Sequence, residues 1–395
     1  MYKRKEYATL LERINEPRAF IQVLMGPRQV GKSTLMGQVL EATSIPHLLF
    51  SADTVDENDS DWIARSWESA RVTMSMHKHK EFLLVIDEIQ KIRNWSEFAK
   101  REWDSDSLHG INLKVVLLGS SRLMLRKGLT ESLAGRFELI RIGHWSYKEM
   151  SDAFGFSLDQ WIYYGGYPGS ARLIGEERRW RRYIKDSLVE PSIEKDVILT
   201  SRIYKPALMK QLFELGCSYS SEILSLTKML GQLQDAGNVT TLQSYLNILN
   251  QCNLLAGLQK YANDEARKYL SVPKFQVYNN ALLTAYHSTS FEKTRIDTKA
   301  WGRWVESGVG AHLLARAEEV GYDVFYWRER DDEVDFILNR SGHITAVEVK
   351  SGRRSMNSGL PNFTEHFHPD RSLVIGTNGI SLDDFFSASV EDVIA

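Results

Sequence analysis

Two cysteines in 395 residues, Cys217 and Cys252, exclude a disulfide framework and a four-cysteine zinc site, and they point to a reducing compartment. Long hydrophobic runs are missing too. Leu83 to Ile86 and Val115 to Leu118 are strand-sized, far below the roughly 20 apolar residues that a membrane-spanning helix needs. The opening stretch MYKRKEYATLLERINE carries charge but no apolar centre, so no signal peptide is expected. Charge of one sign is not in excess: 49 Lys and Arg stand against 51 Asp and Glu. The chain therefore has neither a global basic excess that announces nucleic acid nor an acidic tail. No internal repeat and no low-complexity segment is visible. The histidines lack metal-ligand spacing, and no Ser-His-Asp set can be argued from spacing. With 43% hydrophobic and 25% charged residues, the remaining class is an ordinary globular chain, expected in the cytoplasm without a membrane partner. Its length suggests two or three domains.

Alternation of short apolar runs with amphipathic stretches dominates the first 145 residues. Ala19 to Met25, Pro46 to Ser51, Phe82 to Asp87, Leu113 to Gly119 and Phe137 to Ile142 read as strands. That alternation predicts a parallel sheet covered by helices, hence an α/β class. Residues 146–205 read as helical, broken at Gly165-Gly166-Tyr167-Pro168-Gly169. Residues 206–275 hold three short helical patterns and a hairpin-like stretch. Residues 276–395 start with a long helix, Lys299 to Glu319. Strand-like runs follow at Asp323 to Arg328, Glu333 to Leu338 and Ile344 to Lys350, then a helical segment and a last strand, Ser372 to Ile375.

Directly after the first strand, residues 26–34 read Gly26-Pro27-Arg28-Gln29-Val30-Gly31-Lys32-Ser33-Thr34. This fits G-x-x-x-x-G-K-[ST], with a helical pattern following. The glycines let successive N–H groups turn toward one anion, and the helix N-terminus adds a positive dipole. Lys32 would reach the β/γ-phosphates and Ser33 would ligate Mg²⁺. The apolar strand Phe82 to Ile86 ends in Asp87-Glu88, which delivers two carboxylates to the edge where ligands bind. Asp87 would hold Mg²⁺, through water or through Ser33, and Glu88 would act as general base toward water. No Asn-Lys-x-Asp guanine signature occurs, so ATP is expected over GTP. Ser120, with Ser121 beside it, ends another strand. It either orients the lytic water or senses the γ-phosphate, or it simply caps the strand. Arg136, in Leu133-Ala134-Gly135-Arg136-Phe137, reads either as an arginine finger toward a neighbouring subunit of a homo-oligomer or as a surface arginine.

In the C-terminal stretch, Glu306 lies mid-helix with Gly302 and Gly310 four residues away on either side, so its face can approach a sheet closely. Asp335 sits in one predicted strand, and Glu348 and Lys350 in the next, both on one face by the period of two. If the strands are neighbours, Asp335 and Glu348 would share Mg²⁺, while Lys350 would orient hydroxide or stabilise a pentavalent phosphate. Three carboxylates converging near one lysine should repel each other without a cation, so a divalent metal on Glu306, Asp335 and Glu348 is expected. Ser351-Gly352-Arg353-Arg354 would suit a phosphate backbone.

Together these residues resemble the predicted bacterial and archaeal AAA+ ATPases of the clade related to signal-transduction (STAND) and origin-binding ATPases. The phosphate loop, the Asp87-Glu88 pair, Gly119-Ser120-Ser121 and Ala134-Gly135-Arg136-Phe137 carry the resemblance. Gly166-Tyr167-Pro168 is similar to that clade's G-x-P lid motif, which implies Pro168 near the adenine. The C-terminal order of helix-Glu306, strand-Asp335, strand-Glu348-x-Lys350, helix and strand resembles the PD-(D/E)XK nuclease core, with Val334 where a Pro often stands. The resemblance implies a P-loop αβα ATPase core (1–145), a helical lid (146–205), a winged-helix-like connector (206–275) and a PD-(D/E)XK-like α/β domain (276–395). It makes nucleic acid an expected partner. The connector's charge argues the other way. From Lys205 to Leu270 there are six basic and five acidic residues, and the presumed recognition helix, Thr240 to Gln251, has no Lys or Arg. A subunit-contact or structural role is the alternative there. Two functions follow for the whole chain. In one, ATP hydrolysis gates metal-dependent cleavage of nucleic acid. In the other, a regulatory ATPase switch carries an inactive docking domain.

Overall fold

A computed structural model describes residues 1–120, 132–198, 203–233, 237–263, 271–352 and 359–394. The chain forms two compact units, Met1–Gly143 and His144–Ala395. The first is built on five parallel strands: β1 (Ile21–Met25), β2 (His47–Ser51), β3 (Phe82–Asp87), β4 (Leu113–Gly119) and β5 (Phe137–Arg141). Their spatial order is β2-β3-β4-β1-β5. β1 and β4 are buried along their whole length, as the continuous apolar runs require, while β2 and β5 form the edges. Helices Asp61–Met76 and Trp95–Leu108 cover one face and bury Ile63, Trp67, Trp95 and Trp103 in the core with the strand side chains.

This order puts β4 between β1 and β3. All strands run the same way, so the ends of β1, β3 and β4 meet at one edge. Met25 pairs with Gly119 and Ile86 pairs with Leu117, which sets Gly26, Glu88 and Ser120 at nearly one level.

In the second unit, capping boxes start helices Tyr147–Phe154 (Ser146 with Glu149) and Leu158–Tyr164 (Ser157 with Gln160). Helices Pro206–Ser218, Leu226–Leu230 and Val239–Gln251 precede an antiparallel pair, β6 (Leu255–Leu258) and β7 (Lys274–Val277). Residues 264–270 of the expected wing lie outside the described residues. The expected division after residue 275 runs through β7. A long helix, Thr298–Val320, is capped by Asp297 and ended by Gly321 at φ 81°. It packs on a four-stranded sheet ordered β11-β10-β9-β8, with β8 Asp323–Glu329, β9 Asp332–Arg340, β10 His343–Lys350 and β11 Arg371–Gly376. β8, β9 and β10 are antiparallel. β11 lies parallel to β10 after the crossover helix Leu360–Phe367.

The segments expected as lid and C-terminal domain are tied together inside this unit. The buried Asn280 amide donates to the carbonyls of both Ile162 and Trp304, and the Gly166 N–H donates to Asn279 Oδ1.

Candidate functional site

The phosphate loop leaves β1 at Gly26, where a Cβ would lie 2.1 Å from the Ile142 carbonyl oxygen. Gln29 at φ 61° and Gly31 at φ 91° turn the chain into helix Lys32–Ala42. Lys32 is buried, and its Nζ donates to the carbonyls of Gly26 (3.0 Å) and Pro27 (2.8 Å), so the ammonium spans the concavity of the loop. Ser33 Oγ donates to Asp87 Oδ2 at 2.7 Å, joining the helix start to the end of β3. Burial raises the Asp87 carboxyl above its ordinary pKa, opposed by the Ser33 hydrogen bond. Glu88 takes the left-handed conformation at φ 53°, sharply redirecting the chain after the strand. Its Oε2 accepts from Ser120 Oγ at 3.0 Å and from Gln90 Nε2 at 2.6 Å. Lys32, Ser33, Asp87, Glu88 and Ser120 are thereby brought to one edge. This donor set and the glycine-walled concavity fit a triphosphate with Mg²⁺ on Ser33 and Asp87. Ser121 lies outside the described residues.

A second cluster forms in the other unit. Gly310 lets the long helix close on β7 and β9: a Cβ there would lie 2.2 Å from Gln276 Oε1 and 2.8 Å from Phe336 Cζ. One turn earlier on this helix is Glu306, and two residues before Gln276 is Lys274. Lys274 is wholly buried, with its Nζ 2.6 Å from Glu306 Oε1, 3.2 Å from Glu333 Oε1 and 3.6 Å from Asp335 Oδ1. It also donates to the Asp335 carbonyl oxygen at 3.3 Å. Asp335 is re-aimed by a bulge. Phe325 pairs with Ile337 but Trp327 with Val334, so Asp335 and Phe336 stand against the single residue Tyr326. Asp335 Oδ2 accepts the Val349 N–H at 2.7 Å, which confirms β9 and β10 as neighbours at this point. Glu348 is 9% exposed, and its Oε2 is buried without a hydrogen-bond partner.

Burial, then the neighbouring charge of Asp335, pushes the Glu348 carboxyl up to about 8, with Lys350 opposing. Burial also pushes Glu306 up to about 8 against the pull of Lys274, and it raises Asp335. For Lys274 burial acts downward, yet Glu306, Asp335 and Glu333 outweigh it and hold the ammonium above its usual range. Oxygens of Glu306, Glu333 and Asp335 lie within 4.8 Å of one another, a spacing suited to a cation. The converging trio contains Glu333 where Glu348 was expected. A positive charge already stands among these carboxylates, carried by Lys274, and both Asp335 oxygens are engaged, Oδ1 facing Lys274 and Oδ2 accepting from Val349.

Three stretches of the chain resemble known families. Residues 18–151 match the family described as AAA domain. Residues 155–293 and 301–387 match two domains of unknown function, DUF8612 and DUF4143. Uncharacterized proteins of Mycobacterium tuberculosis and Mycobacterium bovis are each 25% identical over 91% of this chain and 78% of their own. An uncharacterized protein of Haemophilus influenzae is 21% identical over 84% of this chain and 82% of its own. Among solved structures, the Walker-type ATPase PABY2304 of Pyrococcus abyssi has a TM-score of 0.49 at 16% identity, covering 72% of this chain and 96% of that one. The Aeropyrum pernix ORC1 protein in complex with DNA has a TM-score of 0.31 at 11% identity, covering 74% and 94%.

Within the stretch that matches the AAA domain family, Arg136 stands away from the phosphate loop. Ile21 pairs with Phe137, so Arg136 lies beyond the starting end of β5, whereas the loop follows the finishing end of β1. Its guanidinium is held by both oxygens of Asp104, at 2.7 and 3.0 Å. Pro168 opens a short 3₁₀ turn in the second unit. Lys350 ends β10 half-buried, and Arg353 and Arg354 lie outside the described residues. Helix Val239–Gln251 exposes Thr240, Gln243, Ser244, Asn247, Asn250 and Gln251, a polar face without charge.

Lys274, Glu333 and Gln90 were not foreseen from sequence. A signal existed for Lys274, because Lys274-Phe275-Gln276-Val277 alternates polar and apolar. Such a pattern normally means a strand with a wet face, whereas here both faces are covered. Among the described residues no helix is long and apolar enough to cross a membrane.

Proposed function

We propose that the chain binds ATP with Mg²⁺ and hydrolyses it at the AAA domain. The observation that carries this reading is the meeting of Ser33 with Asp87 at 2.7 Å and of Ser120 with Glu88 at 3.0 Å on the edge that bears the phosphate loop. Backbone N–H groups of residues 28–34 hold the phosphates, and Lys32 exchanges its loop carbonyls for β/γ oxygens. Ser33 and Asp87 are the groups that would hold Mg²⁺, which supplies charge neutralisation on the phosphates when bound. Glu88 accepts the proton of the attacking water, and Ser120 with Gln90 orients its carboxylate. Lys32→Ala should abolish tight ATP binding. Glu88→Gln should retain binding and slow turnover by about a hundredfold or more, because a general base is lost. Hydrolysis by Glu88→Gln at the wild-type rate, in a single-turnover assay, would remove Glu88 from that role.

Under this proposal residues 278–395 form a PD-(D/E)XK-like module and residues 206–277, through the end of β7, a winged-helix-like connector. The helix-Glu306, strand-Asp335, strand-Glu348-x-Lys350 order supports a module descended from metal-dependent cleavage of nucleic acid. A second reading, a regulatory ATPase whose module docks a partner without cutting, is favoured by Lys274 standing among the carboxylates. Incubation with mixed DNA and RNA substrates in Mg²⁺ or Mn²⁺ separates the two.

A further inference from the structure

We propose that Lys274 is the resident cation of the C-terminal carboxylate cluster, and that a divalent metal enters this site only when Lys274 is withdrawn. The inference concerns ion occupancy alone and holds whether or not the module cuts nucleic acid.

Three observations carry it. Lys274 is wholly buried and touches Glu306, Glu333 and Asp335, the same three groups whose oxygens converge within 4.8 Å. A buried ammonium persists only where such partners offset its desolvation, so this position is built for a positive charge. Glu348 Oε2, nine-tenths buried, has no hydrogen-bond partner, and its carboxyl feels the charge of Asp335 and Glu306. An unmet oxygen ligand at the margin of the cluster is what an additional cation would use.

The third observation is the origin of the groups. Lys274 lies on β7, within the stretch 155–293 that matches one family. The four carboxylates lie within 301–387, which matches another. The lysine and the acids therefore belong to separately matched segments, and the cation is delivered by the hairpin of β6 and β7. A shift of that hairpin relative to the sheet would carry Lys274 out and leave three half-buried carboxylates together. Their mutual repulsion would then raise their affinity for a divalent ion.

The test is calorimetric titration of the full chain with Mn²⁺, without nucleotide or nucleic acid, so that failure of the ATPase or nuclease reading has no bearing on it. The site-specific signal is the heat lost on Asp335→Asn. In the wild type this difference should be small, because Lys274 holds the site. Lys274→Gln should bind Mn²⁺ at least about tenfold more tightly, since a competing charge within hydrogen-bond distance is gone. That gain should vanish in Lys274→Gln/Asp335→Asn. If Lys274→Gln does not fold in EDTA, added Mn²⁺ should restore its folded circular-dichroism spectrum. The proposal is overturned by a folded Lys274→Gln that binds no more tightly than wild type, by tight Asp335-dependent binding in the wild type, or by an unfolded variant that Mn²⁺ does not rescue.

Discussion

Gly26 shows how strictly one position can be set by its surroundings. A Cβ at this position would lie 2.1 Å from a backbone oxygen of Ile142, which cannot swing aside like a side chain. Gly26→Ala must therefore push the phosphate loop off its seat beside β5. The expected outcome is loss of the ATP-induced rise in melting temperature, with far-UV circular dichroism unchanged. An alanine variant that ATP still stabilises fully would show that the loop adapts. Gly31 is fixed for a different reason: at φ 91° it has open space around it, and only the backbone conformation demands glycine. Glu88 pays no such clash, yet it is held left-handed and fastened by Ser120 and Gln90.

Helices Asp61–Met76 and Trp95–Leu108 are joined by a buried ion pair that no periodicity announces. Asp106 is 0% exposed and accepts from Arg71 Nε at 2.7 Å and from Trp67 Nε1 at 3.2 Å, while Arg71 also reaches Glu102 at 2.9 Å. Removing one partner leaves a buried charge without compensation. Asp106→Ala should cost about 3 kcal/mol in urea denaturation. Asp59→Ala, which breaks an exposed pair with Arg65, should cost less than about 1 kcal/mol. Equal shifts for the two would mean that the buried pair is stabilised by packing alone. Elements themselves were largely legible. The run Phe82 to Asp87 is a strand with those bounds, and Lys299 to Glu319 lies within helix Thr298–Val320. β7 was missed because its Lys274 and Gln276 look like a solvated face.

For the whole molecule, the position of Arg136 separates two behaviours. It lies at the sheet end opposite to its own phosphate loop and is held by Asp104. A finger role therefore requires a second copy of the chain. If it operates, ATPase activity per chain should rise with protein concentration. Arg136→Ala mixed with Lys32→Ala should then recover activity that neither has alone, each supplying what the other lacks. A rate independent of concentration, with no recovery on mixing, would make Arg136 a structural partner of Asp104.

The sequence by itself determined the local chemistry: a strand, a glycine-rich turn and a helix start that must gather N–H groups, and an apolar strand that must end in Asp87-Glu88. These are short-range facts, fixed by spacing and by the burial that continuous apolar runs demand. Only the tertiary structure decided what stands beside them. Inserting β4 between β1 and β3 brought Ser120 to Glu88, and no local pattern encodes strand order. The bulge at Asp335 and Phe336 re-aimed a carboxylate that alternation alone would have placed on a flat face. Lys274 met Glu306, 32 residues later in the chain, because Gly310 allows the helix to close on β7. A buried charge chooses its partner by distance in space, and that distance exists only after the segments have packed.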